Sequence, residues 1–451
     1  MRIHLICDQK WRDLPSNVAL KLYLERDGFR VSIASLKDSF SLLPVLRPDA
    51  VVFNHMFGTS HPELARKIRA AGAKVIVLPT EGAARPELEP VVLGDFSDFS
   101  VIDLYLSWSD YVAEQLRQRN TVPADGIKTT GFYRFDFHVP PLNETTESRA
   151  AFCSKYRLDP KRSTVTWTTQ YNYAHVTRDG PHWEKFQREF IDFGGKDCFA
   201  KIDVDFREIP EILRKSRDAA VRAFCEVTPL FPDVQFILKP HPAEDKEFYT
   251  SRFSSSNVTV VPNELIWNVL NATDLLLHRQ CTTAVEAWTR GLPTIEMAMY
   301  RDKAFTWPAI EEGSFAAESA SDLAKFIAQG LRDRDVPESM KAIRSAYIAK
   351  HYHAADGRRT KAAAEAISEF MRTKHEKSPS FLPLAKSLGG VSRAVKNGIR
   401  YWIDVPSGVP LREDLSLRLK GRRSSSPSSK NITRRDVAIC EADVRPFLVE
   451  G

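Results

Sequence analysis

Three short stretches of the chain concentrate residues able to bind and transfer charged groups. LKPHPAED, at positions 238–245, sets Lys239, His241, Glu244 and Asp245 directly after an apolar run. The carboxyl end of a strand in an open parallel sheet is where ligands bind, so these side chains are expected to face one. An imidazole there can donate a hydrogen bond to a phosphate oxygen and stabilise a departing nucleotide phosphate. DLLLHRQCTTAVEAWTRGLPTIEM, at 274–297, reads as a buried strand ending at His278, a polar turn, and a helix opened by Thr282 and Thr283 that runs to Arg290 and stops at Gly291. Hydroxyls and unpaired N–H groups at such a helix start make an anion site. Thr282 and Thr283 are expected to hold a phosphate, with Arg279 beside them to neutralise it. Glu286 either accepts ribose hydroxyls or closes a capping box on its own helix.

The third stretch, KVIVLPTEGAARPE at 74–87, ends an apolar run with Thr80, Glu81 and Gly82. A carboxylate in that place can deprotonate an acceptor hydroxyl or attack as a nucleophile, and Gly82 would let the backbone turn tightly beside it. Taken alone, Thr-Glu-Gly is an ordinary surface turn; with the other two stretches it supplies the catalytic candidate. Arg12 and Asp13 follow the first apolar run, where Arg12 either contacts a ligand carboxylate or is solvated beside a helix-capping Asp13. Gln170, with Asn172 and His175, lies in TTQYNYAHVT at 168–177 and is expected to line a nucleotide pocket or an ordinary polar loop. Arg134 and Asp136 are expected to pair with each other at the interdomain bridge rather than to act in catalysis.

These groups need strands to present them. Short apolar runs at 3–7, 31–35, 50–54, 74–78 and 103–108 alternate with amphipathic stretches such as HPELARKIRAAG. After a Pro-rich bridge, FHVPPLNETTES at 137–148, the rhythm restarts with runs at 163–171, 234–240, 258–262, 274–278 and 293–297. Helical patterns cover 210–228, 265–271, 282–290 and one long stretch at 338–374. Strands alternating with helices of this length imply βαβ units and parallel sheets. The expectation is an α/β chain of two Rossmann-like domains, at 1–140 and 141–375, whose sheets face a central cleft, followed by a basic tail at 376–451. Two such halves describe the GT-B architecture of many nucleotide-sugar glycosyltransferases. Neither GxGxxG after the first strand nor GxxxxGK[ST] is present, which argues against dinucleotide and P-loop chemistry.

Composition narrows the class further. The 451 residues are 43% hydrophobic with a net charge of +6, enough for a core without disulfide or metal staples. All of that excess lies in the tail, which holds 14 basic and 8 acidic residues. Six scattered cysteines without a CxxC pair fit a reducing, cytoplasmic compartment. No signal peptide or spanning segment is expected. In the tail, GRRSSSPSSKNITRR at 421–435 should be flexible. AKSLGGVSRAVKNGIRYWIDV at 385–405 mixes basic and aromatic residues, and either lies on an anionic membrane surface or docks loosely on its own domain. A neutral folded part without a recognised motif disfavours nucleic acid as a partner.

DQKWRDLPSNVALKLYLERDGFRV, VVFN, VIVLPTEGA and TGFYRFD, in that order, resemble the N-terminal half of the bacterial surface carbohydrate biosynthesis family. KPHP and CTTAVEAWTRGLPTIEM are similar to its second half, as found in capsule and lipopolysaccharide glycosyltransferases using CMP-Kdo or CMP-sialic acid and in CDP-glycerol glycerophosphotransferases. Two departures stand out: Trp11 interrupts the usual Lys-Arg pair, and Phe132-Tyr133 replaces the commoner Asn-Pro. The resemblance implies that His241, Thr282 and Thr283 contact a cytidine nucleotide phosphate and that Glu81 is the catalytic carboxylate. It further implies transfer of Kdo or a related nonulosonate from a CMP-activated donor substrate to a glycan or lipid-linked acceptor, with no metal and no bound cofactor. CDP-glycerol-type polyol-phosphate transfer, or a catalytically silent assembly scaffold, are the alternatives.

Overall fold

The computed structural model describes residues 1–253, 257–374 and 432–448. The chain forms two compact units. One comprises Met1–Gly82, Val92–Thr145 and the residues from His351 onward, the other Ala83–Val91 and Thr146–Lys350. The basic stretch at 385–405 and most of the Ser-rich stretch after it lie outside the described residues.

Each unit is built on a six-stranded, wholly parallel sheet. In the first, β1 (Arg2–Cys7), β2 (Arg30–Ser35), β3 (Ala50–Phe53), β4 (Lys74–Val77), β5 (Leu104–Ser107) and β6 (Ile127–Thr129) run in the order β2-β1-β3-β4-β5-β6. In the second, β7 (Thr164–Thr168), β8 (Gln235–Lys239), β9 (Val258–Val260), β10 (Leu275–His278), β11 (Thr294–Met297) and β12 (Phe315–Ala317) run β12-β11-β10-β7-β8-β9. The central strands are buried along their whole length, as in Ala50–Phe53, Leu104–Ser107 and Leu275–His278, because a parallel sheet is covered on both faces; in Thr164–Thr168 three buried threonines take the place of aliphatic residues. Ile6, Val51, Phe53 and Val75 anchor the first core, and Trp167, Phe236, Leu238 and Leu277 the second. Each such buried side chain contributes roughly 1.5–3 kcal/mol. The edge strands β6 and β12, of three residues each and without a flanking apolar run, leave no signal in the sequence.

The stretch read as one helix is two, Glu338–His351 and Arg359–Lys374. They are separated by a turn in which Gly357 is left-handed (φ 74°) and passes so close to the Pro140 carbonyl that a Cβ would collide with it. The second helix starts on Asp136, whose carboxylate accepts the backbone N–H groups of Arg359 (3.1 Å) and Thr360 (2.7 Å). Asp136 therefore does not pair with Arg134, which lies over the Phe132 ring and 3.9 Å from Asp13. A carboxylate ending a helix removes two otherwise unpaired donors, a stronger claim on it than one arginine two residues away.

Thr433 and Asp436 form a capping box opening the helix Arg434–Val444, which packs on the helix Lys10–Arg26 through Lys10–Asp436 and Lys21–Glu441 (2.8 Å) ion pairs. Among the described residues no helix is long and apolar enough to cross a membrane. Replacing Asp136 by Ala leaves two donors at a buried helix start and should cost about 1–3 kcal/mol. Chemical denaturation should show the loss, and amide exchange in Arg359–Lys374 should accelerate first.

Candidate functional site

In the second unit the loops after β10, β7 and β8 leave three neighbouring parallel strands at one edge of the sheet. His241 follows β8, and its backbone N–H donates to Thr169 Oγ1 (3.2 Å) in the loop after β7. The Ala243 N–H donates to His241 Nδ1 (3.2 Å). A neutral ring that accepts at Nδ1 carries its proton on Nε2, so the loop itself sets the tautomer of this half-buried imidazole.

Glu244, expected to face a ligand, turns inward. It accepts from Thr169 Oγ1 (2.9 Å), the Tyr171 N–H (2.8 Å) and the Tyr249 hydroxyl, and burial pushes its carboxyl above the ordinary range against those bonds. Asp245 caps the short helix Lys246–Thr250 through the Glu247 N–H (3.0 Å). Both carboxylates are thus spent on the shape of the loop that presents His241.

Lys239, the last residue of β8, is 8% exposed. Burial lowers its ammonium to about 8; Glu264 and Glu286 oppose that shift and Lys246 adds to it. Glu286 and Cys281 both act electrostatically on Lys239, so the end of β8 and the turn after β10 converge around this ammonium.

The helix of the threonine element is Thr283–Trp288, shorter than expected, with a turn through the left-handed Gly291 after it. Thr282 is its cap residue but makes no capping bond through its side chain, and the Thr283 hydroxyl lies 3.1 Å from Cys281 Sγ. The capping box considered for Glu286 does not form; the carboxylate is buried and acts on Lys239 and Arg290.

Arg279 is likewise drawn inward. Its Nη1 donates to Glu296 on β11, and Nη2 donates to the Tyr300 and Phe305 carbonyls (3.3 Å each). Glu296 also takes the Gln280 N–H (2.8 Å) and lies 3.0 Å from His278 Nδ1. Burial alone would raise its carboxyl, but Arg279 and His278 outweigh burial and hold it low. Arg279 is therefore an anchor of the turn instead of a group held out to phosphate. Gln170, half-buried after β7, has no partner for Oε1 among the described residues, and neither has Asn172 for Oδ1.

In the first unit, Arg12 opens the helix Lys10–Arg26 and is surrounded by the protein's own carboxylates. It donates to Glu81 (2.9 Å), Asp13 (2.8 Å through Nε) and Asp8 (3.2 Å). Burial would lower the guanidinium, but Asp13, Glu81 and Asp8 raise it well above its ordinary value. The expected contact of Arg12 with a ligand carboxylate is thus taken by internal partners. Asp13 is wholly buried and does reach back to the Gln9 N–H (3.1 Å) at the helix start. Glu81 remains more than half exposed. Gly82 is required by close approach: a Cβ there would lie 2.5 Å from the Trp108 ring, whose Nε1 donates to the Pro79 carbonyl (2.8 Å).

Sequence reasoning missed Thr169, Glu296 and Trp108. Glu296 had a visible signal, a carboxylate inside the apolar run PTIEM. Trp108 had none. Among the described residues no group of three His, Cys, Asp or Glu side chains is arranged to hold a metal.

No protein-family model matches the chain, and no curated protein matches it. Solved structures do. S. aureus MnaA, in a co-structure with UDP, is 12% identical, with 84% of this chain and 99% of that chain covered and a TM-score of 0.51. The wall teichoic acid polymerase TagF, soaked with CDPG, is 12% identical over 83% of this chain and 90% of that one, at 0.53. A putative UDP-N-acetylglucosamine 2-epimerase from Listeria monocytogenes is 14% identical, with 84% and 98% covered, at 0.50. At such identities the likeness is one of fold, and the two parallel sheets are those of the GT-B class.

Lys239 gives a test with a definite sign. Its folded value near 8 lies below the ordinary 10.5, so between those pH values the unfolded chain binds the extra proton and stability rises with pH. Lys239→Met should be more stable than the parent at pH 7, and denaturation midpoints should lose the rise between pH 8 and 10.

Proposed function

We propose that the chain is a glycosyltransferase that moves a sugar, Kdo or a related nonulosonate, from a CMP-activated donor to a surface polysaccharide or its lipid-linked precursor. The observation that carries this is the His241 loop, whose backbone fixes the proton on Nε2 at the carboxyl edge of β8, beside the buried Lys239. When the acceptor oxygen bonds to the anomeric carbon, the bond to the donor phosphate breaks and its oxygen leaves with the electron pair. The Nε2 proton and the Lys239 ammonium then face developing negative charge, which a positioned donor and a buried cation stabilise far better than water does. Thr282 and Thr283 hold the same phosphate, and Glu286 and Gln170 take the ribose and base. Glu81 accepts the acceptor's hydroxyl proton, with Arg12 holding the carboxylate in place. A lipid-linked acceptor would place the chain at the inner face of a membrane, with the basic stretch at 385–405 as the contact.

A second reading is favoured by the likeness to TagF, whose structure was soaked with CDPG: transfer of a polyol phosphate from a CDP-activated donor, using the same phosphate contacts.

Thermal shift against CMP, CDP, UDP and GDP tests the nucleotide, since a ligand at 100 times its Kd stabilises by about 2.7 kcal/mol. A cytidine nucleotide should raise the midpoint most, and His241→Ala should reduce that rise. Products formed from CMP-Kdo and CDP-glycerol then decide between the two transfers. Glu81→Gln should lower turnover at least about 100-fold with CMP binding intact; weak CMP binding with normal turnover would remove Glu81 from its role. No response to any cytidine nucleotide would leave a silent scaffold.

A further inference from the structure

The long connection between β7 and β8 carries a cavity of about 460 Å³, within the range of small-ligand sites. It opens between the loop at 176–183 and the first turns of the helix Ile209–Val227. That helix runs back to the start of β8, which is parallel to β7, so its first turns stand at the carboxyl edge of the sheet.

Four cations and two carboxylates line the cavity, with one indole. Arg214 is built into the wall: it donates to the carbonyls of Ala174 (3.2 Å) and Val176 (2.8 Å) and pairs with Glu211. Lys215 lies 4.0 Å from the same Glu211, so one carboxylate serves two cations. Arg207 is held by Asp205. Arg178 is exposed and makes no hydrogen bond or close ion pair among the described residues, its charge being felt at longer range by Asp205. Trp183 packs against Phe186, with ring centroids 5.5 Å apart, and contributes to the cavity wall.

We propose that this cavity binds an acidic sugar, with Arg178 and Lys215 taking its carboxylate or phosphate, Glu208 accepting its hydroxyls, and Trp183 packing on its C–H face. The mixture of signs favours a sugar over a polyphosphate. Hydroxyl groups donate to carboxylates, whereas a phosphate chain would be repelled by Glu208 and Glu211. Calling this sugar the acceptor rests on the transferase reading above; its binding does not.

Calorimetric titration of the full chain with trigalacturonate, its neutral methyl ester and inorganic phosphate tests the site. The acid should bind at least about tenfold more tightly than the ester, because a charge-assisted contact is lost in the latter. The double variant Arg178→Glu, Lys215→Glu should weaken trigalacturonate at least about tenfold with the melting midpoint nearly unchanged, and Trp183→Ala, whose midpoint falls because the indole also packs on Phe186, should weaken it at least about tenfold at a temperature where circular dichroism shows the variant folded. Absence of trigalacturonate binding, equal binding of acid and ester, or unaltered binding by either variant would overturn the proposal. Phosphate binding as tightly as the acidic sugar would also overturn it, as a site for anions alone. Adding 3′-CMP or 5′-CMP should leave trigalacturonate affinity unchanged; competition would overturn the assignment of a separate site. Failure here with an intact CMP response removes only the acidic-sugar site, and the converse result removes only the donor reading.

Discussion

A negative charge with no access to water governs the second unit. Glu296 lies fully buried on β11, one strand in from the sheet's edge, where an unpaired carboxylate would be prohibitively costly, so the surrounding chain must supply donors. It does so from the strand next door. Arg279, His278 and the Gln280 N–H all converge on it, and Gln280 adopts a left-handed backbone (φ 44°) as the turn closes over the carboxylate. The position at which Thr282 and Thr283 begin their helix follows from that turn.

The same device recurs at two other strand ends. Glu244 gathers Thr169, Tyr171 and Tyr249 and so shapes the loop that presents His241. Asp13 and its neighbours hold Arg12, which in turn fixes Glu81. In each case a buried acid organises the backbone, and a different, more accessible residue is left facing outward. The residues that shape the loops and the residues able to meet a ligand are therefore distinct sets, although they alternate along the same few positions.

This explains which parts were legible beforehand. The strand rhythm was, because buried parallel strands are rich in apolar and β-branched residues, and ten of the twelve strands overlap the apolar runs. The three-residue edge strands IKT and FAA have no flanking apolar run, whereas the equally short VTV continues into Val261 and shows itself. The location of the polar stretches at strand ends was legible too, but not which way each charge turns. Arg279 and Thr282 look equally available in the sequence; the partner that claims Arg279 is a glutamate 17 positions later, on another strand. Asp136 shows the same limit more sharply, since its partners are the amides of residues 359 and 360.

The order of the segments has one more consequence. The polypeptide passes from one unit to the other after Gly82, returns after Val91, leaves again after Thr145 and comes back after Lys350. A single protease nick in any of these passages leaves the halves covalently tethered by the remaining ones. Expressing residues 1–145 alone would omit Arg359–Lys374, the helix that Asp136 caps, so neither half corresponds to a simple truncation of the gene product.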